Sequence, residues 1–223
     1  MEESRHEIAY EMMCNWKVFF ENAVDGYHLA YLHDKTLGKV THDKQVWEAR
    51  GRHLVWWSLE RDGTTHPLPK LLQDNAGASP TAHVEHHRAY GGIYIIFPLT
   101  MLALHLWGLS ISVLETVDAG TTLLRIRSWA PKGQRGGRFK LKDIPDYDPD
   151  SGLIKSSHWT QHPLETGDFQ TEDVWVYEKM QRTLQSPCHQ VGHLTRGAGG
   201  EASLAFFQQC FLEHLDTRKM AAE

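Results

Sequence analysis

Asp25, His28 and His33 lie close together in the segment Asn15-Trp-Lys-Val-Phe-Phe-Glu-Asn-Ala-Val-Asp-Gly-Tyr-His-Leu-Ala-Tyr-Leu-His33. Imidazole and carboxylate at such short spacing can hold a metal ion. On a helix, Asp25 and His28 are three apart and share a face, as do Glu21 and Asp25. His28 and His33 are five apart, and a straight helix turns the second imidazole well away from the first. The two rings converge only if the helix bends, ends or widens near Leu32. Regular helix geometry alone makes no metal site of them. Two imidazoles and one carboxylate on one side of iron(II) leave coordination positions open for dioxygen and substrate, and these ligands suit iron better than zinc's closed tetrahedral sites. The missing carboxylate must come from elsewhere, and a late acidic helix is the place to look.

The elements that must position these groups follow from periodicity. Trp16, Phe19, Phe20, Ala23, Val24, Tyr27 and Tyr31 recur at helical steps, which predicts one helix from about Trp16 to Leu32, with Gly38 ending it or the turn after it. From about Gln45 to Pro131 the pattern changes to period two or short apolar runs. Gln45–Arg50, His53–Arg61, Ala82–Tyr90, Gly92–Phe97, Met101–Trp107, Leu109–Val117 and Thr121–Trp129 read as strands. Asp62-Gly63, Gly91-Gly92 and Asp118-Ala-Gly120 are turn chemistry between them, so the sheet is expected to be mostly antiparallel. Pro67–Pro80 reads as a loop and Lys132–Pro149 as an exposed excursion. Asp168 to about Leu184 is the acidic helix, carrying Glu172, Asp173 and Glu178, and Ala202–Arg218 is a closing amphipathic helix. The order helix, antiparallel sheet, helices predicts an α+β domain, with a curved sheet around helices and a cavity between.

The totals bound the function. At 223 residues one domain, 1–223, is expected. The net charge of −5 gives no electrostatic reason to expect a nucleic-acid partner. No run of about 18 apolar residues is present to span a membrane as a helix. The charged opening MEESRHEIAYEMM lacks the apolar stretch of a secretory signal. Cys14, Cys188 and Cys210 are too few and too scattered for a disulfide framework, and a cytoplasmic, reduced protein is the simplest expectation.

The motif Asn15-Trp-Lys, Glu21-Asn22, then Asp25-x-x-His28-x-x-x-x-His33 resembles the catalytic-domain signature of the α subunits of Rieske non-haem iron ring-hydroxylating oxygenases. Glu172-Asp173-x-x-x-x-Glu178-x-x-Gln181-Arg182 is similar to the segment supplying that family's third iron ligand. The resemblance covers both ends of the chain, including the Gly192–Arg196 loop and the last helix. It implies a curved sheet gripping helices (a START-like catalytic domain), with His28, His33 and Asp173 as ligands to one mononuclear iron(II). It further implies that Asp25 holds a ligand histidine and links it to a neighbouring subunit's cluster, and that Asn22 sits near the iron. The implied activity is oxygen insertion into, or demethylation of, an aromatic or related apolar substrate with O2. The implied assembly is a homotrimer, or a complex with a Rieske-bearing subunit and a reductase. The family's [2Fe–2S] domain carries Cys-x-His and Cys-x-x-His pairs. This sequence has neither, so the expectation is a split subunit taking electrons from a partner chain's cluster, a truncated product, or a domain that no longer oxidises. A non-catalytic binding module or an assembly subunit is the alternative function.

For each residue a plainer role competes. His28 and His33, taken alone, read as surface or core-edge histidines. Glu172 and Asp168 rival Asp173 as ligand, and any of the three could simply favour the helix dipole. His83, His86 and His87 on a strand split between two faces and make no single site. His105 reads as a satisfied core histidine, the strand tryptophans as core, and Cys14 as a small buried thiol.

Overall fold

The structure is a computed structural model, which describes residues 2–3, 7–36, 45–59, 89–105, 108–130, 147–196 and 201–220. Ten strands form one sheet: β1 Glu2–Glu3, β2 Ile8–Met12, β3 Gln45–Arg50, β4 His53–Leu59, β5 Ala89–Ile96, β6 Thr100–His105, β7 Gly108–Thr116, β8 Thr122–Ala130, β9 Tyr147–Asp148 and β10 Leu153–Lys155. Their order is β3-β4-β5-β6-β7-β8-β2-β10-β9, with β1 beside the end of β8. Every pair is antiparallel except β2 with β10. Among the described residues four α-helices accompany the sheet: α1 Trp16–Ala23, α2 Tyr27–Leu32, α3 Phe169–Leu184 and α4 Ala202–Met220.

The register explains how one face of so wide a sheet becomes a core. Leu54 faces Ile95, Ile95 faces Met101, Met101 faces Ser112, Ser112 faces Ile126 and Ile126 faces Ile8. A second row runs Leu114, Leu124, Tyr10, Ile154. Because side chains alternate along a strand, these rows share one face, and that face is apolar across most of its width. Tyr10, Leu54, Ile95, Leu114, Leu124 and Ile154 are all buried. Against it α1 buries Val18, Phe19 and Phe20. Edge-to-face contacts join Phe19 to Tyr177 of α3 and Trp16 to Phe207 of α4, so α1 is the helix held between the others and the sheet. The expected curved-sheet-and-helix fold is therefore present.

Three local expectations change. The helix expected from Trp16 to Leu32 is two helices. The Asp25 carboxylate accepts the Tyr27 backbone N–H at 2.8 Å, a turn-forming bond that competes with continued helix, and Gly26 is the residue that begins α2. Gly91-Gly92, expected as a turn, lies inside β5. Gly92 pairs with Trp57 on one side and Leu104 on the other, and the β4–β5 register shifts between Ser58 and Leu59. Glycine in a strand interior commonly accompanies such an irregularity. Strand β2, whose charged neighbours hide it, is inserted between β8 and β10 and buries Ala9, Tyr10 and Met12. The Asp118–Gly120 turn forms as expected, with Gly120 N–H donating to the Asp118 carboxylate at 2.7 Å. Gly38, Asp62-Gly63, Pro67–Pro80, the histidines 83, 86 and 87, and the excursion up to residue 146 lie outside the described residues.

Two outcomes follow from this packing. Phe20→Ala removes a fully buried ring and is expected to lower stability by about 3–5 kcal/mol in chemical denaturation. Beside β2, the Glu7 carboxylate takes bonds from Arg127 (2.8 Å) and Arg125 (3.1 Å), and the Arg127 bond chiefly holds its pKa below the usual 4.5. A depressed carboxylate pKa stabilises the fold above the unfolded-state value and loses that contribution as pH falls through the folded value. Glu7→Gln is thus expected to cost less than about 1 kcal/mol at pH 7, the ion pairs being largely solvated, and nothing once the wild-type carboxyl is protonated. Denaturation at the two pH values checks this.

Candidate metal centre

His28 and His33 sit at opposite ends of the short α2, and it is the shortness of that helix that brings their rings together. The break at Val24–Gly26 frees α2 from the direction of α1. The Val24 carbonyl left there accepts the Ser203 hydroxyl of α4 at 2.8 Å. At the other end His33 is the residue that terminates α2, with φ −103° and ψ 19°, so its side chain no longer follows helical phase. The ring centroids of His28 and His33 are 5.2 Å apart. Ending of the helix near Leu32 was one of the routes to convergence that the five-residue spacing required.

Asp173 comes from the second turn of α3. Asp168 caps that helix, accepting the Gln170 N–H at 3.1 Å and the Thr171 hydroxyl at 2.7 Å, and stands outside the group formed by His28, His33 and Asp173. Asp173 Oδ1 lies 3.0 Å from His33 Nε2 and 3.8 Å from His28 Nε2. One donor atom from each of the three residues falls within 4.8 Å of the others. Adjacent donors around an ion with bonds near 2.1 Å must stand about 3 Å apart, so the set needs little closing to surround a cation.

Each imidazole is fixed through its other nitrogen. His28 Nδ1 donates to the Asp25 main-chain carbonyl, which leaves its Nε2 as the free lone pair. His33 Nδ1 donates to Glu172 Oε2 at 2.7 Å, and the same carboxylate oxygen accepts the Thr36 hydroxyl at 2.8 Å. Glu172 and Asp173, consecutive on α3, therefore engage the two nitrogens of one ring. Burial lowers the pKa of His28, a shift that the Asp173 charge opposes. Burial also works against charge on His33, but its hydrogen bonds to Asp173 and Glu172 outweigh this and raise its pKa. Asn22, itself buried, donates from Nδ2 to Asp173 Oδ1 at 3.1 Å, and that nitrogen lies 3.3 Å from His28 Nε2. Burial, and then the Asp173 charge, pushes the nearby Tyr177 hydroxyl well above its usual range.

The residues singled out in the sequence thus meet here: His28, His33, Asp173, Asn22 and the backbone of Asp25. Sequence reasoning missed Thr36 altogether and weighed Glu172 only as a rival ligand. Its adjacency to Asp173 was the available signal. Cys14 is a buried thiol, and burial, reinforced by Glu178, pushes its pKa to about 12. Of the strand tryptophans, Trp56 is core, whereas Trp47 is partly exposed and tilts against Phe206. The side chains of His105, Trp57 and Trp107 lie outside the described residues. A groove where His193–Arg196 meets Glu201, Ala202 and Ala205 includes none of the site residues.

The sequence model of the family described as "Ring hydroxylating alpha subunit (catalytic domain)" matches residues 2–217. The chain belongs to that family. The chain is also similar in fold to several solved structures. A quaternary ammonium Rieske monooxygenase, CntA, in complex with an inhibitor, superposes with a TM-score of 0.60 at 18% identity, over 93% of this chain and 48% of that one. Naphthalene 1,2-dioxygenase from Rhodococcus sp., bound to indole, gives 0.63 at 13% identity over 95% and 56%. Dicamba monooxygenase bound to dicamba gives 0.54 at 14% identity over 98% and 60%. The chain spans about half the length of the CntA chain. Among curated proteins none matches. Among the described residues no helix is long and apolar enough to cross a membrane.

The dual use of Asp25 yields a prediction. Its carboxylate caps α2 while its carbonyl holds His28, so Asp25→Ala is expected to cost about 1 kcal/mol, whereas Asp25→Asn, which can still accept the Tyr27 N–H, stays close to wild type. Thermal unfolding of the two variants distinguishes them.

Proposed function

We propose that this domain is the catalytic part of a mononuclear non-haem iron oxygenase, and that His28, His33 and Asp173 hold the iron(II). The observation that carries the reading is the convergence of two imidazole Nε2 atoms and one carboxylate oxygen at a buried point, each ring already committed at Nδ1. Membership of the ring-hydroxylating family supports it. Bound there, ferrous iron would supply activation of dioxygen.

The protein's own residues have three tasks in this reading. Asp25 and Glu172 orient the imidazoles so that their Nε2 lone pairs face the ion. Asn22 donates to Asp173 Oδ1, which keeps that carboxylate turned toward the rings. The apolar core behind the site, with Phe19, Tyr177 and Val174 buried, keeps water away from it on that side. The substrate proposed is an aromatic or related apolar molecule, hydroxylated or demethylated with O2. Electrons are proposed to come from a [2Fe–2S] cluster carried by another chain, with a reductase behind it. Assembly is proposed to be a trimer, or a complex with the Rieske-bearing subunit, in which one chain's cluster serves the next chain's iron. The known ligands of the similar structures, an inhibitor, indole and dicamba, belong to those proteins.

Anaerobic titration with ferrous iron tests the reading. One ion per chain is expected, and His28→Ala or Asp173→Ala should each abolish tight binding while the protein remains folded. Adding a reduced Rieske protein and an aromatic substrate should then give an oxygenated or demethylated product. Wild-type protein that takes up no iron would refute the assignment.

A further inference from the structure

The two rings of the site are not held alike. His28 is held by a main-chain carbonyl, a neutral acceptor that any residue at position 25 would supply. His33 is held by a carboxylate, Glu172, which is 1% exposed. Burying a carboxylate is costly unless it is paired and hydrogen-bonded. Its Oε2 takes both the His33 Nδ1–H at 2.7 Å and the Thr36 hydroxyl at 2.8 Å. Thr36 is itself tied back to the same histidine, its N–H donating to the His33 carbonyl at 3.1 Å. The result is a closed ring of contacts, His33–Glu172–Thr36–His33, behind the face that Nε2 presents to Asp173. Phe169 packs edge-on against the imidazole at 6.1 Å, so the ring is confined on that side as well.

We infer that Glu172, braced by Thr36, is the positioning residue that sets the affinity of the site for a divalent cation, acting through His33 rather than by touching the ion. This rests on the reading of His28, His33 and Asp173 as ligands. A carboxylate accepting from Nδ1–H fixes the tautomer that leaves Nε2 free and makes that nitrogen a stronger donor. The rival role is a structural staple: an ion pair between α2 and α3 that holds the fold whether or not a cation binds. The two differ in what the loss of charge at position 172 changes. Glutamine keeps the shape and can still accept both hydrogen bonds, so a staple loses little, whereas the donor strength of His33 falls.

The experiment is anaerobic ferrous iron titration of the full chain as wild type, Glu172→Gln, Thr36→Val, Thr36→Ser and His33→Ala, each also unfolded thermally without metal. Glu172→Gln is expected to weaken binding about 10–100-fold with the metal-free melting temperature little changed. Thr36→Val should weaken it by a smaller factor, and Thr36→Ser, which keeps the hydroxyl, should restore it. In the zinc-loaded protein with nitrogen-15-labelled histidine, the His33 Nδ1–H resonance should lie far downfield in wild type and move upfield in Glu172→Gln. Wild-type affinity in a folded Glu172→Gln protein overturns the inference and leaves only the staple. Should Glu172→Gln fail to fold, Thr36→Val decides, and unchanged affinity there overturns the inference equally. If wild type binds iron and His33→Ala does not, the ligand reading stands whatever position 172 does. If wild type binds none, the ligand reading fails and this inference with it.

Discussion

His33 is gripped at both ring nitrogens by consecutive carboxylates of a helix about 140 residues further along the chain. That contact joins the end of α2 to the start of α3, and the rest of the site is arranged around it. The ring cannot rotate without losing one partner, and neither carboxylate can leave without stranding a buried charge. Asn22 reaches the same Asp173 oxygen from α1, so three helices meet at one atom. The wide sheet is what makes such a meeting possible. Its continuous apolar face holds α1 in place, and α1 in turn sets where α2 begins.

A polar point of this kind within an apolar core carries a cost, and the way it is met is informative. Both ring nitrogens of His33, Glu172 Oε2, Asp173 Oδ1 and the Asn22 amide nitrogen have partners within hydrogen-bonding distance, and His28 Nε2 has a neighbouring amide nitrogen and carboxylate. Without a cation, a protonated His33 sets one positive charge against the two carboxylates of Glu172 and Asp173. A divalent cation taking the place of the His33 proton would set two positive charges against the same two carboxylates. The arrangement is thus already suited electrostatically to its proposed occupant.

Much of this was legible in the sequence because periodicity reports burial. The strands Gln45–Arg50, His53–Leu59 and those from Thr100 to Ala130, with the helices from Asp168 and Ala202, were drawn from alternation and helical stripes, and the structure carries them there. What escaped was decided by neighbours that a one-dimensional pattern does not contain. Strand β2 has a charged flank, and only its place between β8 and β10 buries it. Gly91-Gly92 has turn composition, yet pairing with the two flanking strands keeps it extended, beside an irregularity at Tyr90 of the same strand. The break between α1 and α2 turns on a single carboxylate capping its own backbone, a choice that Asp25-Gly26 permits but does not impose. The set of donors was implied by the resemblance to the ring-hydroxylating family, while the division of labour between Glu172 and Asp173 was not. Adjacent helix positions differ by about 100° of rotation, and either can face a given ring until its two nitrogens are located.

The parallel alliance of β2 with β10 sets an order of events during synthesis. A strand near the beginning of the chain finishes its hydrogen bonding only with partners at Thr122–Ile126 and Leu153–Lys155. Such distant pairings make for slow, late closure. On the ribosome the two histidines therefore emerge long before the elements that complete the sheet and bring the acidic helix to them. The proposed ion site needs Asp173, so it can be complete only once the chain has been made at least that far.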